Sequence, residues 1–256
     1  MKKWWIAGAV VLLGGAMMAL LARPPARATG LSTHNSTPAP SLAQQPSQPL
    51  RIAVIGGTKG VGRGVVELAA SRGHKVTAMA RREPEQAFFG PQITFTQGDL
   101  THSKAVRELV ANQDAVVFAV STSPTGERVT VYSTGAKNLL AGAPATARIV
   151  MISGIGAGDS RGHGGFFYDR ILQPRLLRED YDDKSRAEAL LQASEASWTI
   201  VRPGFLTNGA PNSQYSVVAD VTGVRTGSVA RSDVAHFILS ALESETYVRQ
   251  TVLLTN

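Results

Sequence analysis

From about residue 50 onward, short apolar runs alternate with stretches in which apolar residues recur at helical spacing. Continuous runs such as 115–120 are typical of parallel strands that are buried on both faces. Repeated strand–helix units predict an α/β fold, a doubly wound parallel sheet that binds ligands at the carboxyl ends of its strands. We expect strands at 51–55, 74–82, 93–97, 115–120, 148–153, 198–202 and 251–254. The first helix is expected to follow the glycines at 56–64, and the later helices to span 103–110, 131–141, 171–177, 182–193 and 233–242. Thr101 or Ser103 is expected to cap the helix at 103–110, and Ser232 the last one.

The first 49 residues depart from this pattern. Lys2 and Lys3 precede nineteen uncharged residues, 4–22, which as a helix would extend about 28 Å, close to the hydrocarbon thickness of a bilayer. An uncleaved anchor and a signal segment cleaved after Ala26-Arg27-Ala28 both fit, and the length of the apolar run favours the anchor. Residues 23–49 hold six of the thirteen prolines and predict a semi-extended linker. We therefore expect a membrane or signal segment at 1–22, a linker at 23–49 and one folded domain at 50–256.

Charge and composition narrow the function classes. The formal net charge is +7, and subtracting the four basic residues of the segment 1–49 leaves +3, so the basic balance does not predict a nucleic-acid surface. The absence of cysteine excludes disulfides and thiolate catalysis, and no Asp/Glu/His cluster has metal-binding spacing. Basic residues flank the apolar segment on both sides, which leaves open the side of the membrane that the domain faces.

A glycine cluster follows the first predicted strand and opens the first helix. Glycines permit the tight turn and a close backbone approach to phosphates, and the helix N-terminus supplies free N–H groups. This order predicts a dinucleotide site, although many strand–helix turns carry glycines for packing only. The candidate residues at this turn are Gly56, Thr58, Lys59, Gly60, Val61 and Gly62.

The second strand ends in Arg81 and Arg82, where NAD-specific folds place an acid for the ribose hydroxyls. A guanidinium pairs with a 2′-phosphate, and Lys59 adds a second cation near the same group. We therefore predict NADP (NADPH) as the cofactor. The alternative is that both arginines are solvated loop residues.

Five later segments carry a family likeness: Gly98–Leu100, Asp114–Val120, Val150–Ala157, Thr199–Gly204 and Arg231–Ala235. In order and spacing they resemble the atypical short-chain dehydrogenase/reductases, in particular the NAD(P)H-binding group of NmrA-like proteins and biliverdin reductase B-like flavin reductases. The resemblance covers roughly residues 50–256 and implies a Rossmann-type domain. It further implies that Asp99 and Leu100 flank the adenine and that Ala119, Val120 and Ser121 pass along its ribose.

The catalytic candidates are Lys184, Ser153 and Tyr181. Relatives of this type pair a tyrosine with a lysine four residues later on one helical face, whereas Tyr181 and Lys184 are three apart. Lys184 lies where the group carries a Lys or His; the alternative is a surface pair with Glu188. Ser153, at the carboxyl edge of its strand, is placed to bond a carbonyl or the nicotinamide amide, unless it bonds turn backbone.

Two function classes remain. The first is an NADPH-dependent reductase of a small planar or carbonyl acceptor of the flavin or quinone type, tethered to a membrane through residues 4–22. The cofactor carries such chemistry, so the protein need only stack the acceptor on it, with Phe166, Phe167 and Tyr168 as a candidate lid. The second is a non-catalytic NADP(H)-binding redox sensor or assembly factor of NmrA-like type, which the missing Tyr-x-x-x-Lys pair favours. We favour the reductase; no nucleic-acid partner is expected, and the oligomeric state is left open.

Overall fold

The computed structural model of the protein describes residues 36–38, 48–85, 88–122 and 129–256. The predicted membrane segment 4–22, the alternative cleavage site at 26–28 and most of the linker 23–49 lie outside these residues. Among the described residues, no helix combines the length and the apolar composition needed to cross a bilayer.

The described part of the chain contains eleven strands and five α-helices. The strands are β1 Ser36–Pro38, β2 Arg51–Ile55, β3 Lys75–Ala80, β4 Ile93–Gln97, β5 Ala115–Phe118, β6 Arg148–Ile152, β7 Ser197–Pro203, β8 Phe205–Thr207, β9 Ser216–Val218, β10 Ser228–Ala230 and β11 Gln250–Thr255. The α-helices are α1 Gly60–Ser71, α2 Ser103–Val110, α3 Val131–Gly142, α4 Arg178–Gln192 and α5 Arg231–Glu243. A π-helical segment, Tyr168–Leu177, leads directly into α4.

The main sheet has nine strands in the order β1-β9-β11-β7-β6-β5-β2-β3-β4. The seven strands from β11 to β4 are parallel, while β9 runs antiparallel to both β11 and β1. All four residues of β5 are buried, as expected for a strand covered on both faces. A separate parallel pair joins β8 to β10. The predicted doubly wound parallel sheet is confirmed.

Helices cover both faces of this sheet. On one face α1 packs against α5, and on the other α3 packs against both α2 and α4. Each face has its own apolar cluster. One is built around Val54, Val66 and Phe237, and the other around Ile55, Leu139 and Ile200. These two layers fix the sheet from both sides, so the carboxyl ends of the parallel strands share one edge.

Strand β1 lies within the stretch 23–49 in which we expected a linker. Its three residues pair with β9, with Ser36 opposite Val218 and Pro38 opposite Ser216. Proline has no backbone N–H to donate. It is tolerated at position 38 because β1 is the outermost strand of the sheet and pairs on one side only. A short part of this stretch therefore extends the sheet.

The predicted cap of α2 is wrong. His102 occupies the N-cap position and makes no side-chain cap bond, and Ser103 is already the first helical residue. The Thr101 hydroxyl donates to the Asp99 carboxylate over 2.7 Å instead. The Thr101 hydroxyl therefore serves the loop, where it donates to a carboxylate, instead of accepting from an N–H of the first helical turn.

The predicted cap of α5 is also wrong. Ala230 is the N-cap residue, and Ser232 lies in the first turn of the helix. The Ser232 hydroxyl donates to the carbonyl oxygen of Gly209 over 2.7 Å, so it ties α5 to a loop.

Helix α4 begins at Arg178, one turn before the expected start at residue 182, because the π-helical segment before it runs straight into the helix.

Candidate functional site

The order in which the chain adds strands to the sheet reverses between β2 and β5. The chain builds β2, β3 and β4 outward to one side and then returns to place β5 on the other side of β2. In an open α/β sheet, the crevice beyond the carboxyl ends of these two strands is the usual ligand site. The Ala119 amide donates to the Ile55 carbonyl over 2.8 Å and joins the two strand ends. The residues after β2 and those after β5, including Val120 and Ser121, therefore border one crevice.

Two glycines let the backbone close up at this point. Gly56 has a φ of +82°, and a Cβ on it would lie 2.5 Å from the Ala119 carbonyl oxygen. A Cβ on Gly62 would lie 2.4 Å from the Gly56 carbonyl oxygen. The contacts of Gly62 are thus with the turn and with Ala119 after β5, and they hold α1 close to both strand ends. Gly60 differs, because a Cβ there would meet nothing within 4 Å.

The N-terminus of α1 is open and free of negative charge. Lys59 is the N-cap residue without a side-chain cap bond, and the first turn contains no acid. The first N–H groups of a helix have no acceptor within it, and together with the helix dipole they attract an anion. Thr58 is partly buried and Val61 buried, so their side chains support the turn. This cradle fits a pyrophosphate, and its N–H groups at residues 60–62 would hold one.

The predicted 2′-phosphate residues are all solvent-exposed. Arg81 and Arg82 follow directly after β3, and Lys59 lies in the turn after the neighbouring strand β2. The Gln97 side chain donates to the Arg81 carbonyl oxygen over 3.1 Å, which fixes the backbone at that point. Among the described residues, neither arginine side chain forms an ion pair. The Arg81 charge acts on the nearby Asp99, and the three cations lie beyond the neighbouring ends of β2 and β3.

Asp99 and Leu100 differ in how they border the crevice. The Asp99 carboxylate accepts from the Thr101 amide and hydroxyl, and these hydrogen bonds hold the pKa of Asp99 below its usual range. Leu100 is 4% exposed, and a Cβ on Gly135 of α3 would lie 2.3 Å from its side chain. The Leu100 side chain is thus a packing group that leaves no room beside α3. Of the two, only Asp99 keeps a partly exposed side chain.

Lys184 lies in a compact polar cluster at the start of α4. Its ammonium nitrogen is 3.0 Å from an oxygen of Asp180, and both side chains are nearly buried, 11% and 12% exposed. The same nitrogen lies 4.6 Å from the ring centroid of Tyr181 and 5.1 Å from that of Tyr132. A spacing of three residues also places two side chains on one helical face. The structure therefore brings Lys184 and Tyr181 together despite the missing four-residue spacing.

The predicted alternative for Lys184, a surface pair with Glu188, is wrong. Glu188 is buried and holds Arg202 of β7 through two hydrogen bonds of 3.0 and 2.6 Å. Burial lowers the pKa of Lys184, but Tyr181, Tyr132 and Asp180 together outweigh it and raise that pKa above its ordinary value. Lys184 therefore keeps its proton at neutral pH and acts as a fixed positive charge.

The Tyr181 side chain of α4 reaches Gly154, which follows Ser153 at the end of β6. A Cβ on Gly154 would lie 2.9 Å from the Tyr181 hydroxyl, so the missing side chain makes room for the ring. Ser153 is 6% exposed, and its hydroxyl has no hydrogen-bond partner among the described residues. It does not bond the turn backbone, which was the alternative considered. A buried hydroxyl without a partner is costly unless a ligand supplies one, so Ser153 fits a polar ligand group.

A match to a known family identifies the domain type. The NAD(P)H-binding family matches residues 56–245, about three quarters of the chain. The chain belongs to this NAD(P)H-binding family. The match begins at Gly56, the first residue of the glycine turn, and covers every candidate site residue. The predicted membership of an NAD(P)H-binding group is confirmed.

Individual relatives agree with this assignment. A Bacillus subtilis (strain 168) protein, named as the uncharacterized sugar epimerase YhfK, is 27% identical over 206 residues, covering 77% of this chain and 89% of the relative. ChuY, an anaerobilin reductase from Escherichia coli O157:H7, is similar in structure, with a TM-score of 0.65, 22% identity and coverage of 80% and 96% of the two chains. A short-chain dehydrogenase/reductase from Veillonella parvula DSM 2008, solved with NADP, is also similar in structure. Its TM-score is 0.68 at 15% identity, and the match covers 82% of this chain and 95% of that one. The two structural neighbours share the fold of this NAD(P)H-binding domain.

Three residues of the Lys184 cluster were not predicted from the sequence. Asp180 accepts from Lys184 and from the Tyr132 hydroxyl, the latter over 3.1 Å, and from the Thr122 hydroxyl. The Asp180–Lys184 spacing of four residues was a local signal for this pair. Tyr132 and Thr122 come from α3 and the loop after β5, and no local pattern predicts that they reach α4.

The predicted lid divides into buried and exposed parts. Tyr168 packs edge-on against Tyr181 at 6.2 Å between ring centroids, and its hydroxyl donates to the Ile155 carbonyl oxygen over 3.2 Å. Phe166 and Phe167 instead face solvent, 76% and 51% exposed. Of these three aromatic residues, Tyr168 therefore borders the candidate site through Tyr181.

Proposed function

We propose that the protein is an NADPH-dependent reductase of a small planar or carbonyl acceptor of the flavin or quinone type. One observation carries this proposal: a nearly buried Lys184 ammonium, fixed by Asp180, lies against the ring of the partly exposed Tyr181. A protein that only senses nucleotide has no need for a nearly buried cation over a tyrosine ring. Perturbed ionisable groups at a strand-end crevice are typical of catalytic sites.

Each residue has a defined part in the proposed reaction. The first-turn amides of α1 would bind the pyrophosphate, and Lys59, Arg81 and Arg82 the 2′-phosphate, which favours NADPH. When bound, the reduced nicotinamide supplies a hydride. The Tyr181 hydroxyl would donate a hydrogen bond to the acceptor oxygen and pass its proton to it. The Lys184 charge would stabilise the tyrosinate left behind until solvent returns the proton.

The experiment is an acceptor screen with purified full-length protein. NADPH oxidation is followed at saturating cofactor against a panel of flavins, quinones and small carbonyl compounds. Replacement of Lys184 with Met should lower kcat by about 10²-fold, in the range of general acid–base contributions, with little change in NADPH affinity. The matched control is Lys104→Met on α2, whose side chain is 83% exposed.

The alternative, a non-catalytic NADP(H)-binding sensor or assembly factor, has its own signature in this experiment. The Tyr181–Lys184 spacing of three residues instead of four is the feature that favours it. NADPH-selective binding without oxidation by any acceptor would support the sensor. Turnover that Lys184→Met leaves unchanged would exclude the mechanism given above while keeping a reductase.

We also propose that residues 4–22 tether the domain to a membrane. Support comes from the nineteen uncharged residues between Lys3 and Arg23, which are long enough to span the hydrocarbon as a helix. Alkaline carbonate extraction of membranes tests the proposal. A tethered protein stays in the pellet, and a version without residues 4–22 is released unless another contact retains it.

A further inference from the structure

The exposed apolar side chains of the domain are concentrated beside the candidate site. Eight large hydrophobic residues are exposed in the described part of the chain. Phe205 and Leu206 on β8 are two of them, and Phe205 lies 5.4 Å from Tyr168, between ring centroids. Four more precede or lie within the π-helical segment: Phe166, Phe167, Ile171 and Leu176. Exposed apolar side chains gathered in one region indicate a binding role more than single scattered ones do.

The π-helical segment is anchored so that this apolar side faces outward. Tyr168 is buried and bonds the Ile155 carbonyl, and Gln173 is buried and donates to the Gly156 carbonyl oxygen over 2.7 Å. A Cβ on Gly156 would lie 2.7 Å from the Gln173 amide nitrogen, so the anchor is tightly packed. Because these two residues occupy the inner side, Phe166, Phe167, Ile171 and Leu176 are left exposed on the outer side.

Basic residues accompany the apolar side chains. Arg170 and Arg175 are exposed on the same segment, and an Arg175 side-chain nitrogen donates to the Arg170 carbonyl oxygen over 3.1 Å. Neither forms an ion pair with a described residue. Asp169, the residue before Arg170, accepts a hydrogen bond from the Gly164 amide. We call Phe166, Phe167, Ile171 and Leu176, with Arg170 and Arg175, the aromatic-basic patch.

We propose that the aromatic-basic patch docks on the surface of an anionic lipid bilayer. Transfer of phenylalanine and leucine side chains from water to the headgroup–acyl boundary is favourable. Each arginine near an anionic membrane surface adds about 1 kcal/mol of electrostatic binding free energy. Both contributions act on one segment, which is the combination found in interfacial elements. Each is modest, so the contact is reversible and gains strength if the chain is already held at the membrane.

Other occupants fit the charges less well. A second copy of the chain would bring Arg170 and Arg175 against the same residues, because a two-fold contact pairs a patch with itself. The apolar stretch 4–22 of this chain is uncharged and would leave both arginines without a partner. An anionic surface satisfies the arginines and the apolar side chains together.

Docking would orient the candidate site toward the lipid. Tyr168, at the start of the segment, packs on Tyr181, so the patch and the proposed reaction centre are neighbours. An acceptor dissolved in the bilayer would then reach the site without crossing water. The docking itself uses no nucleotide or acceptor, so it goes beyond the proposed reductase and can hold or fail independently of it.

The test uses the absence of cysteine from the chain. Full-length protein carrying Leu176→Cys is labelled with the environment-sensitive dye NBD, which leaves both phenylalanines in place. Glu195→Cys is the matched control, 93% exposed and two residues before β7, at the opposite end of the strands. Each is added without nucleotide to vesicles of phosphatidylcholine alone or with about one third phosphatidylserine, an anionic lipid of cytoplasmic leaflets.

We expect a blue shift and increased emission at residue 176 with the anionic vesicles only, and no change at residue 195. The double variant Arg170→Glu/Arg175→Glu should lose the shift, whereas Lys75→Glu/Lys137→Glu, with the same net charge change at exposed sites elsewhere, should keep it. Equal shifts with neutral vesicles would overturn the recognition of anionic lipid. No shift at residue 176 while the protein is bound to vesicles, or equal shifts at both positions, would overturn the docking surface. Catalytic activity affects none of these readouts.

Discussion

At the scale of single residues, Lys184 shows how much a side chain depends on its neighbours. In the sequence it is one lysine among several acids, and its pairing with Glu188 was a reasonable alternative. In the structure it contacts Asp180 at 3.0 Å and two aromatic rings, while Glu188 is used by Arg202. The pair with Asp180 has a signal in the sequence, its four-residue spacing, whereas the contact with Tyr132 has none, since Tyr132 comes from another helix.

The pH dependence of stability tests this environment. The folded-state pKa of Lys184 is raised above its unfolded value, so its contribution to stability is complete below about pH 10 and is lost as pH rises through the folded pKa. The difference in unfolding free energy between wild type and Lys184→Met should thus be constant from pH 6 to 9 and shrink above pH 10. Urea unfolding across this range measures it. A difference that already shrinks near pH 7 would contradict a charged lysine.

Cofactor choice is also decided by single residues. Replacing Arg81 and Arg82 with Ala should weaken NADPH by about 10-fold or more and leave NADH nearly unchanged, because charge-assisted hydrogen bonds contribute about 1.5–3 kcal/mol each when formed. Calorimetric titration of both nucleotides gives the two constants. Equal losses for NADPH and NADH would remove the 2′-phosphate assignment.

At the scale of elements, α1 illustrates what local sequence can predict. The apolar run, the glycine turn and the helical pattern follow one another within 51–71, so strand, turn and helix N-terminus were all predicted. The different packing roles of Gly56, Gly60 and Gly62 were not predicted, because they depend on how closely the residues after β5 approach the turn. Gly62 packs on the turn, and Gly60 faces open space. A substitution at Gly62 would displace α1 and is a poor probe of binding.

Lys59, the N-cap residue of α1, is a cleaner probe. Asp is a preferred N-cap residue, so Lys59→Asp should keep or raise the melting temperature while its carboxylate competes for the first-turn amides. We expect Lys59→Asp to weaken both NADPH and NADH, and Lys59→Gln to weaken NADPH alone. Thermal unfolding and calorimetry on the two variants provide the comparison. If Lys59→Asp binds NADH as wild type does, the pyrophosphate is not at this helix N-terminus.

At the scale of the whole molecule, a buried ion pair joins parts that are distant in sequence. Arg202 of β7 and Glu188 of α4 are 3% and 2% exposed in their side chains, and Asp159 from the loop after β6 also contacts Arg202. Removing one partner of such a pair leaves a desolvated charge. Three segments at the carboxyl end of the sheet are therefore held by one guanidinium.

This pair makes a prediction about global stability. Glu188→Gln should lower the unfolding free energy by about 3 kcal/mol, the lower end of the range for breaking a buried pair, because Asp159 still faces Arg202. The control Glu195→Ala, whose carboxylate is 93% exposed, should change it by less than about 0.5 kcal/mol. Urea unfolding of both variants decides the matter. Equal small changes would show that Glu188 and Arg202 are not coupled in solution.

The sequence by itself determined the alternation of strands and helices, the glycine turn and the basic end of β3. These features arise from neighbours along the chain, through side-chain periodicity and backbone freedom. Tertiary structure alone decided the meeting of Asp180 with Tyr132 and Thr122, the unpartnered hydroxyl of Ser153 and the outward-facing aromatic-basic patch. Such contacts join residues tens of positions apart, and they exist only once the sheet has brought its strand ends to a common edge.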